Sequence, residues 1–138
     1  LSLYTIGSIK DIRDIRKYVS VDGGMTDNIR PALYQAAYEG LVANKASEPK
    51  DDKVTICGKC CESGDILIKD CMITGTAKAG DLFAMFSTGA YGFSMASNYN
   101  SNPIPAVVLV KDGKSELIVK RQSYDDMIKN QLMPEMLK

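Results

Sequence analysis

Short runs in which apolar and polar residues alternate recur along this chain of 138 residues. Alternation with a period of two places the apolar side chains on one face, which is typical of half-buried β-strands. The pattern predicts strands at 1–9, 16–21, 38–44, 53–57, 65–73, 81–86, 105–110 and 115–120. Asp112-Gly113 lies between the last two runs and predicts a tight hairpin turn.

One segment near the C-terminus has helical character. A helix is predicted over 123–132, with Ser123 as N-cap and Asp125 and Asp126 in the first turn, where acidic groups suit the helix dipole. Many short strands with little helical periodicity indicate an all-β fold. The sequence therefore predicts a β-barrel or sandwich with a short C-terminal helix.

The segment after the second predicted strand is rich in turn residues. Gly23 and Gly24 can adopt positive φ and allow a close approach of other groups to the backbone. Asp27 or Asn28 can cap a short helical segment that ends by Tyr34, and Pro31 suits its first turn.

Composition narrows the classes of function. The length suits one domain over 1–138. Basic and acidic residues number 17 each and are scattered, so the basic surface of a nucleic-acid-binding protein is not expected. No apolar run approaches the roughly 18 residues that span a bilayer, and no signal-like segment opens the chain. These features predict a cytoplasmic protein without a membrane segment.

The chain has no histidine, which removes the commonest general base and metal ligand. The remaining reactive groups include four cysteines, for which reduced thiols are expected because Cys60 and Cys61 are adjacent. Any chemistry must use Cys, Tyr, Asp, Glu or Lys side chains, or a bound cofactor.

The loop 57–65, with sequence Cys-Gly-Lys-Cys-Cys-Glu-Ser-Gly-Asp, has three chemical interpretations. Cys57 and Cys60 have the Cys-x-x-Cys spacing of thioredoxin-like redox pairs. That motif needs its first cysteine at the N-terminus of a helix, whereas Cys57 ends a predicted strand. A zinc site that includes Cys71 would need a fourth ligand of the usual kind. These three cysteines are best interpreted as small, buried hydrophobic residues. Cys61 and Glu62 can instead address two groups from a loop, or form a structural turn.

Two further groups could bind an anion. Arg30 and Tyr34 are four residues apart, so one helical turn would place a guanidinium and a phenol on one face. The alternative is a surface arginine that packs on a core tyrosine. The segment 89–100 combines glycines with hydroxyl donors, as in a phosphate or carboxylate cradle, although aromatic residues on such turns are often packing residues.

Together these segments resemble the C-terminal region of the diaminopimelate decarboxylase family, which comprises fold type III enzymes that use pyridoxal 5'-phosphate. The matching strings occur in order at 21–25, 27–34, 61–65, 80–81 and 89–100. The resemblance implies a C-terminal β-domain that packs on a TIM barrel carrying the cofactor lysine, in a homodimer with shared sites. The implied reaction converts meso-diaminopimelate to L-lysine.

The resemblance also implies roles for five residues. Arg30 and Tyr34 would bind the distal carboxylate of the substrate, and Tyr91 would contact the substrate and the cofactor near its phosphate. Cys61 would enter the partner subunit's site as the acid that protonates the α-carbon, and Glu62 would bind the distal ammonium. No metal is implied.

Two alternatives remain open on the sequence. Ornithine-type and carboxynorspermidine-type decarboxylases are related, although ornithine-type members commonly have aspartate where Glu62 stands here. The other alternative is a non-catalytic binding module that kept the fold without the barrel. Because the barrel and its lysine are missing from 1–138, we expect this chain to be a fragment that is inactive alone.

Overall fold

Eight β-strands form the fold in the described part of the chain, as the alternating pattern predicts. The computed structural model describes residues 1–137, and Lys138, at the end of the predicted domain, lies outside them. The strands are β1 (Ser2–Ile12), β2 (Arg16–Val21), β3 (Gly40–Val42), β4 (Asp52–Cys57), β5 (Ile66–Ile73), β6 (Leu82–Met85), β7 (Val107–Lys111) and β8 (Lys114–Val119).

The described residues divide into two compact units. The first, Leu1–Ala96, contains β1 to β6, and the second begins at Ser97 and contains β7 and β8. The assignment of both units to one domain remains a prediction.

The first unit is built on a six-stranded sheet with the strand order β3-β6-β1-β2-β4-β5. Four neighbouring pairs are antiparallel and β2 with β4 is parallel. The two edge strands, β3 and β5, approach each other, so the sheet is nearly closed. The barrel-like all-β class predicted from the sequence is confirmed.

The core of this unit is formed by apolar side chains from each of the six strands. In β1, Tyr4 and Ile6 are buried and Leu3 is exposed, which is the alternation that predicted the strand. Burial of one large apolar side chain such as Phe83 stabilises the fold by roughly 1.5–3 kcal/mol. The most buried members of the core are Ile6, Val19, Val42, Val54, Ile56, Leu67, Ile73, Phe83 and Met85.

The second unit contains an antiparallel hairpin and a short helix. Asp112 and Gly113 join β7 to β8 and both have positive φ, 50° and 72°, as in a type I′ turn. The helix α3 is Tyr124–Ile128, and Ser123 caps it in a capping box with Asp126. The predicted extension to residue 132 is wrong, because the amide of Gln131 donates to the carbonyl of Ile128 and turns the chain there.

Two short helices lie in the first unit, α1 (Arg30–Tyr34) and α2 (Gly92–Met95), and α2 was not predicted. Pro31 is in the first turn of α1, as expected. The N-cap position is Ile29 rather than Asp27 or Asn28, and Asp27 accepts a hydrogen bond from the Gly24 amide. Asn28 Oδ1 does accept a hydrogen bond from the Arg30 amide, at 3.3 Å, at the start of α1. No helix within residues 1–137 is long and apolar enough to cross a membrane.

A buried carboxylate joins the start of β6 to the segment after β3. Asp81 accepts hydrogen bonds from Lys45 Nζ at 2.8 Å, Asn44 Nδ2 at 2.9 Å and the Lys78 amide at 2.9 Å. The Lys45 ammonium, followed by the two other donors, lowers the pKa of the Asp81 carboxyl to about 2. The charged form of Asp81 is therefore the one that the folded chain stabilises.

We expect Asp81→Asn to lower the melting temperature at neutral pH, with a deficit that shrinks in acid. An unfolded aspartate has a pKa of about 3.9 and the folded one a pKa of about 2, so the stabilisation is present above about pH 4 and is lost as the pH falls towards 2. Thermal unfolding followed by circular dichroism across this range measures the deficit. Asp11→Asn, on the exposed part of β1, controls for loss of one charge. A deficit that stays constant down to the lowest pH would contradict the prediction.

Candidate functional site

Two loops that carry candidate residues follow the neighbouring parallel strands β2 and β4. Tyr18 pairs with Thr55 and Ser20 with Cys57, so the two strands end side by side. Because the strands are parallel, the loops 22–29 and 58–65 leave the same edge of the sheet. The first loop leads to Arg30 and the second contains Cys61.

A buried carboxylate binds the two loops to each other. Asp65, at the end of the second loop, is only 2% exposed. Its Oδ1 accepts a hydrogen bond from the Met25 amide at 2.7 Å, and its Oδ2 accepts one from the Cys60 amide at 2.8 Å. The Lys59 amide adds a second link between the loops by donating to the Gly23 carbonyl at 2.9 Å.

Glycines make room for this carboxylate. An added Cβ would lie 2.2 Å from Asp65 Oδ2 at Gly58 and 2.6 Å from it at Gly24, so either substitution would force the carboxylate to move. At Gly23 the Cβ would lie 2.2 Å from Tyr4 Cε1. The close approach predicted for Gly23 and Gly24 is confirmed, but their predicted positive φ is wrong.

Arg30 lies over two tyrosine rings. Its Cζ is 5.5 Å from the centroid of the Tyr34 ring and 5.2 Å from that of Tyr91, within the range of cation–π attraction. The two rings are 59% and 63% exposed, so the alternative of an arginine on a core tyrosine is wrong. The structure thus brings together three of the five predicted site residues.

Tyr91 has an unusual backbone for a bulky residue. It stands at the N-cap of α2 with φ 64° and ψ −14°, in the left-handed region, and its carbonyl accepts a hydrogen bond from Ser94 Oγ at 3.3 Å. This backbone presents the phenol beside the Arg30 guanidinium. An exposed hydroxyl donor beside a guanidinium can bind a carboxylate or a phosphate, so these residues fit one edge of an anionic cofactor.

Cys61 and Glu62 lie on the separate loop between β4 and β5. Both residues are exposed, and Cys61 is a free thiol. The Asp65 amide donates to the Glu62 carbonyl at 3.0 Å, and the Gly58 amide donates to the Asp65 carbonyl at 2.9 Å. The loop therefore exposes a thiol and a carboxylate while its backbone is fixed from within. Sequence reasoning missed the role of Asp65 in this loop.

The redox interpretation of Cys57 and Cys60 fails on local structure. Cys57 ends strand β4 rather than beginning a helix, and burial, followed by the nearby charge of Asp65, raises the pKa of both thiols. A redox pair needs the opposite shift. Cys71 is buried in the core as predicted, whereas Cys57 and Cys60 are only partly buried.

The structure does not gather the cysteines into a zinc site. Cys71 pairs with Val54 in the ladder between β4 and β5, whereas Cys57 pairs with Ile66. Positions 54 and 57 are roughly 10 Å apart along a strand, too far for both thiols to bind one ion. Within residues 1–137 no group of three His, Cys, Asp or Glu residues is placed to hold a metal.

Comparison with known proteins assigns this arrangement to a family. The family model described as "pyridoxal-dependent decarboxylase, C-terminal sheet domain" matches residues 2–89. The diaminopimelate decarboxylase of Bacillus subtilis is 58% identical over 93% of this chain, and the match covers 29% of that protein.

Solved structures agree with the sequence comparison. The diaminopimelate decarboxylase of M. jannaschii matches 99% of this chain with a TM-score of 0.88 and 34% identity, over 30% of its own length. Its structure in complex with L-lysine matches with a TM-score of 0.87. This chain thus spans about 30% of the length of these relatives, and it belongs to the pyridoxal-dependent decarboxylase family, in the part that forms the C-terminal sheet domain.

Proposed function

We propose that this chain is the C-terminal domain of a meso-diaminopimelate decarboxylase, which releases carbon dioxide and forms L-lysine in the cytoplasm. The observation that carries the proposal is the Arg30 guanidinium held over the exposed rings of Tyr34 and Tyr91. A cation packed on two exposed rings suits a substrate with a second, distal carboxylate. Relatives named diaminopimelate decarboxylase, and a relative's complex with L-lysine, support the same substrate class.

Arg30 and Tyr34 bind the distal carboxylate in this proposal. The guanidinium can donate two parallel hydrogen bonds to a carboxylate, and its planar group is oriented by the two rings before substrate arrives. The Tyr34 hydroxyl supplies a further donor on the same side. This pre-orientation reduces the entropy lost on binding and favours substrates that end in a carboxylate.

Tyr91 contacts the cofactor phosphate and the substrate. When bound, pyridoxal phosphate takes up the electron pair that the departing carbon dioxide leaves behind. The Tyr91 phenol donates a hydrogen bond to a phosphate oxygen, and its ring keeps the Arg30 guanidinium beside the substrate. The lysine that anchors the cofactor belongs to the barrel and is assigned to no residue of this chain.

Cys61 and Glu62 act in the site of the partner subunit of a homodimer. The exposed Cys61 Sγ–H gives its proton to the substrate α-carbon after carbon dioxide has left. The Glu62 carboxylate accepts hydrogen bonds from the distal ammonium. Exposure of both side chains on one well-fixed loop supports their entry into a neighbouring subunit.

The full-length product of the gene that encodes this chain should release carbon dioxide from meso-diaminopimelate and form L-lysine. Its kcat/KM for meso-diaminopimelate should exceed that for L-ornithine, which has no distal carboxylate for Arg30. Assays of carbon dioxide and lysine with both substrates measure the ratio. A preference for L-ornithine would favour the ornithine-type alternative, and inactivity of a folded, cofactor-loaded protein would favour the binding module.

Within the full-length protein, Cys61→Ala should lower kcat by about 10²- to 10⁴-fold with little change in KM, because the thiol acts after carbon dioxide has left. Glu62→Ala should instead mainly raise KM, since the ammonium contact exists before the reaction begins. Steady-state kinetics separate the two effects. Cys57→Ala, which removes a partly buried thiol outside the site, should change kcat little. Equal losses in Cys57→Ala and Cys61→Ala would contradict the assignment.

Hybrid dimers should test the shared site. A Cys61→Ala subunit keeps Arg30, and an Arg30→Ala subunit keeps Cys61, so a dimer of the two has one site with both residues intact. Random exchange makes half of the dimers hybrid, and we expect about a quarter of wild-type activity. Mixed subunits are assayed at low substrate concentration after exchange has been verified with differently tagged chains. Activity no higher than the average of the two variants would show that both residues serve one subunit's site.

A further inference from the structure

The loop 58–65, which carries Cys61 and Glu62, is fixed by a residue to which the proposed function gives no direct role. We propose that Asp65 is a positioning residue that holds the loop of Cys61 and Glu62 in its working geometry. This inference rests on the proposed function, because it gives the loop a catalytic purpose. It assigns to Asp65 no contact with substrate or cofactor.

Asp65 makes four hydrogen bonds to backbone groups, and three of them are with the loop 58–65. Its Oδ2 accepts from the Cys60 amide at 2.8 Å, its own amide donates to the Glu62 carbonyl at 3.0 Å, and its carbonyl accepts from the Gly58 amide at 2.9 Å. These contacts lie on both sides of Cys61. The backbone that carries the thiol is thus closed around one carboxylate.

The fourth hydrogen bond anchors the loop to the rest of the unit. Asp65 Oδ1 accepts from the Met25 amide at 2.7 Å, on the loop that follows the parallel neighbour strand β2. Loop 22–29 lies at the same edge of the sheet and leads into α1. If this contact were lost, the hydrogen bond from the Lys59 amide to the Gly23 carbonyl would still join loop 58–65 to loop 22–29, but the Asp65 carboxylate would no longer do so.

The burial of Asp65 shows that its site is built for a carboxylate. A buried charge is costly unless hydrogen bonds satisfy it, and amide donors reach both oxygens here. The glycines at 24 and 58 leave the required space, since a Cβ at either would collide with the carboxylate. A turn needed only for chain reversal would not require a carboxylate from which solvent is excluded.

Small movements of this loop would change the proposed chemistry. The Cα atoms of Cys60 and Cys61 are about 3.8 Å apart, so displacement of the Cys60 amide moves the thiol with it. A misplacement of about 1 Å in a reacting group can cost about 10²-fold in rate. A residue that fixes Cys60 therefore controls the approach of the Cys61 proton to the substrate.

Asp65→Asn in the full-length protein provides the test. The side chain keeps its shape, but its amide group presents hydrogens to one of the two backbone donors, so one hydrogen bond is lost. We expect kcat/KM for meso-diaminopimelate to fall by about 10²-fold at temperatures where the variant is fully folded. Asp81→Asn is the matched control, because it alters a buried, hydrogen-bonded carboxylate away from this loop. It should lower the melting temperature and leave kcat/KM within about threefold.

Hybrid dimers distinguish positioning from general destabilisation. If Asp65 acts through the Cys61 loop, mixing Asp65→Asn with Arg30→Ala subunits should restore activity, and mixing it with Cys61→Ala subunits should not. Restoration with Cys61→Ala would place the defect on the Arg30 side and overturn the proposal. Equal loss of kcat/KM in Asp65→Asn and Asp81→Asn would also overturn it.

Hydrogen exchange tests the loop without relying on the reaction. Peptides that cover 22–29 and 58–65 should exchange faster in Asp65→Asn, while those of the core strands stay protected. A uniform rise across the sheet would overturn the local role. If the wild-type protein decarboxylates neither substrate, the proposed function fails, and the exchange pattern still decides whether Asp65 fixes this loop. Should Asp65→Asn not fold, Gly58→Ala displaces the carboxylate while keeping its charge and should give the same local pattern.

Discussion

The parallel pairing of β2 with β4 is the constraint on which the candidate site depends. Parallel neighbours cannot be joined by a tight hairpin, so the chain must make a long crossover between them. Here the crossover includes α1, and it therefore carries Arg30 and Tyr34. The same pairing places the loop of Cys61 beside the start of that crossover, and the buried Asp65 carboxylate joins the two where the strands end.

The strands could be predicted from the sequence because their signal is local. Alternation such as that of Tyr4 and Ile6 against Leu3 depends only on which face each residue occupies. Element ends were less predictable, since they depend on single hydrogen bonds: α3 stops where Gln131 bonds to Ile128. The helix α2 is too short to show a period, and the order of strands in the sheet leaves no local trace.

The candidate site was only partly readable from the sequence. The spacing of Arg30 and Tyr34 indicated that both lie on one face of a helical turn. Tyr91 comes after β6, far along the sequence, and no local sequence pattern shows that its ring contacts the same guanidinium. Asp65 resembled an ordinary turn residue at the start of a strand. Its burial depends on Gly24 and Gly58, which come from different loops, so it appears only when the backbone is folded.

Asp65 and Asp81 show how similar carboxylates serve different ends. Each is buried and each joins segments distant in the chain. Asp81 includes the Lys45 ammonium among its donors, so its interaction responds to acid and contributes to stability as a charge pair. The Asp65 carboxylate accepts hydrogen bonds from the backbone amides of Met25 and Cys60, which fix the direction of the chain as well as its position. A loop that carries an exposed thiol needs this directional restraint to hold the thiol in one place, because no packing on its exposed side can supply it.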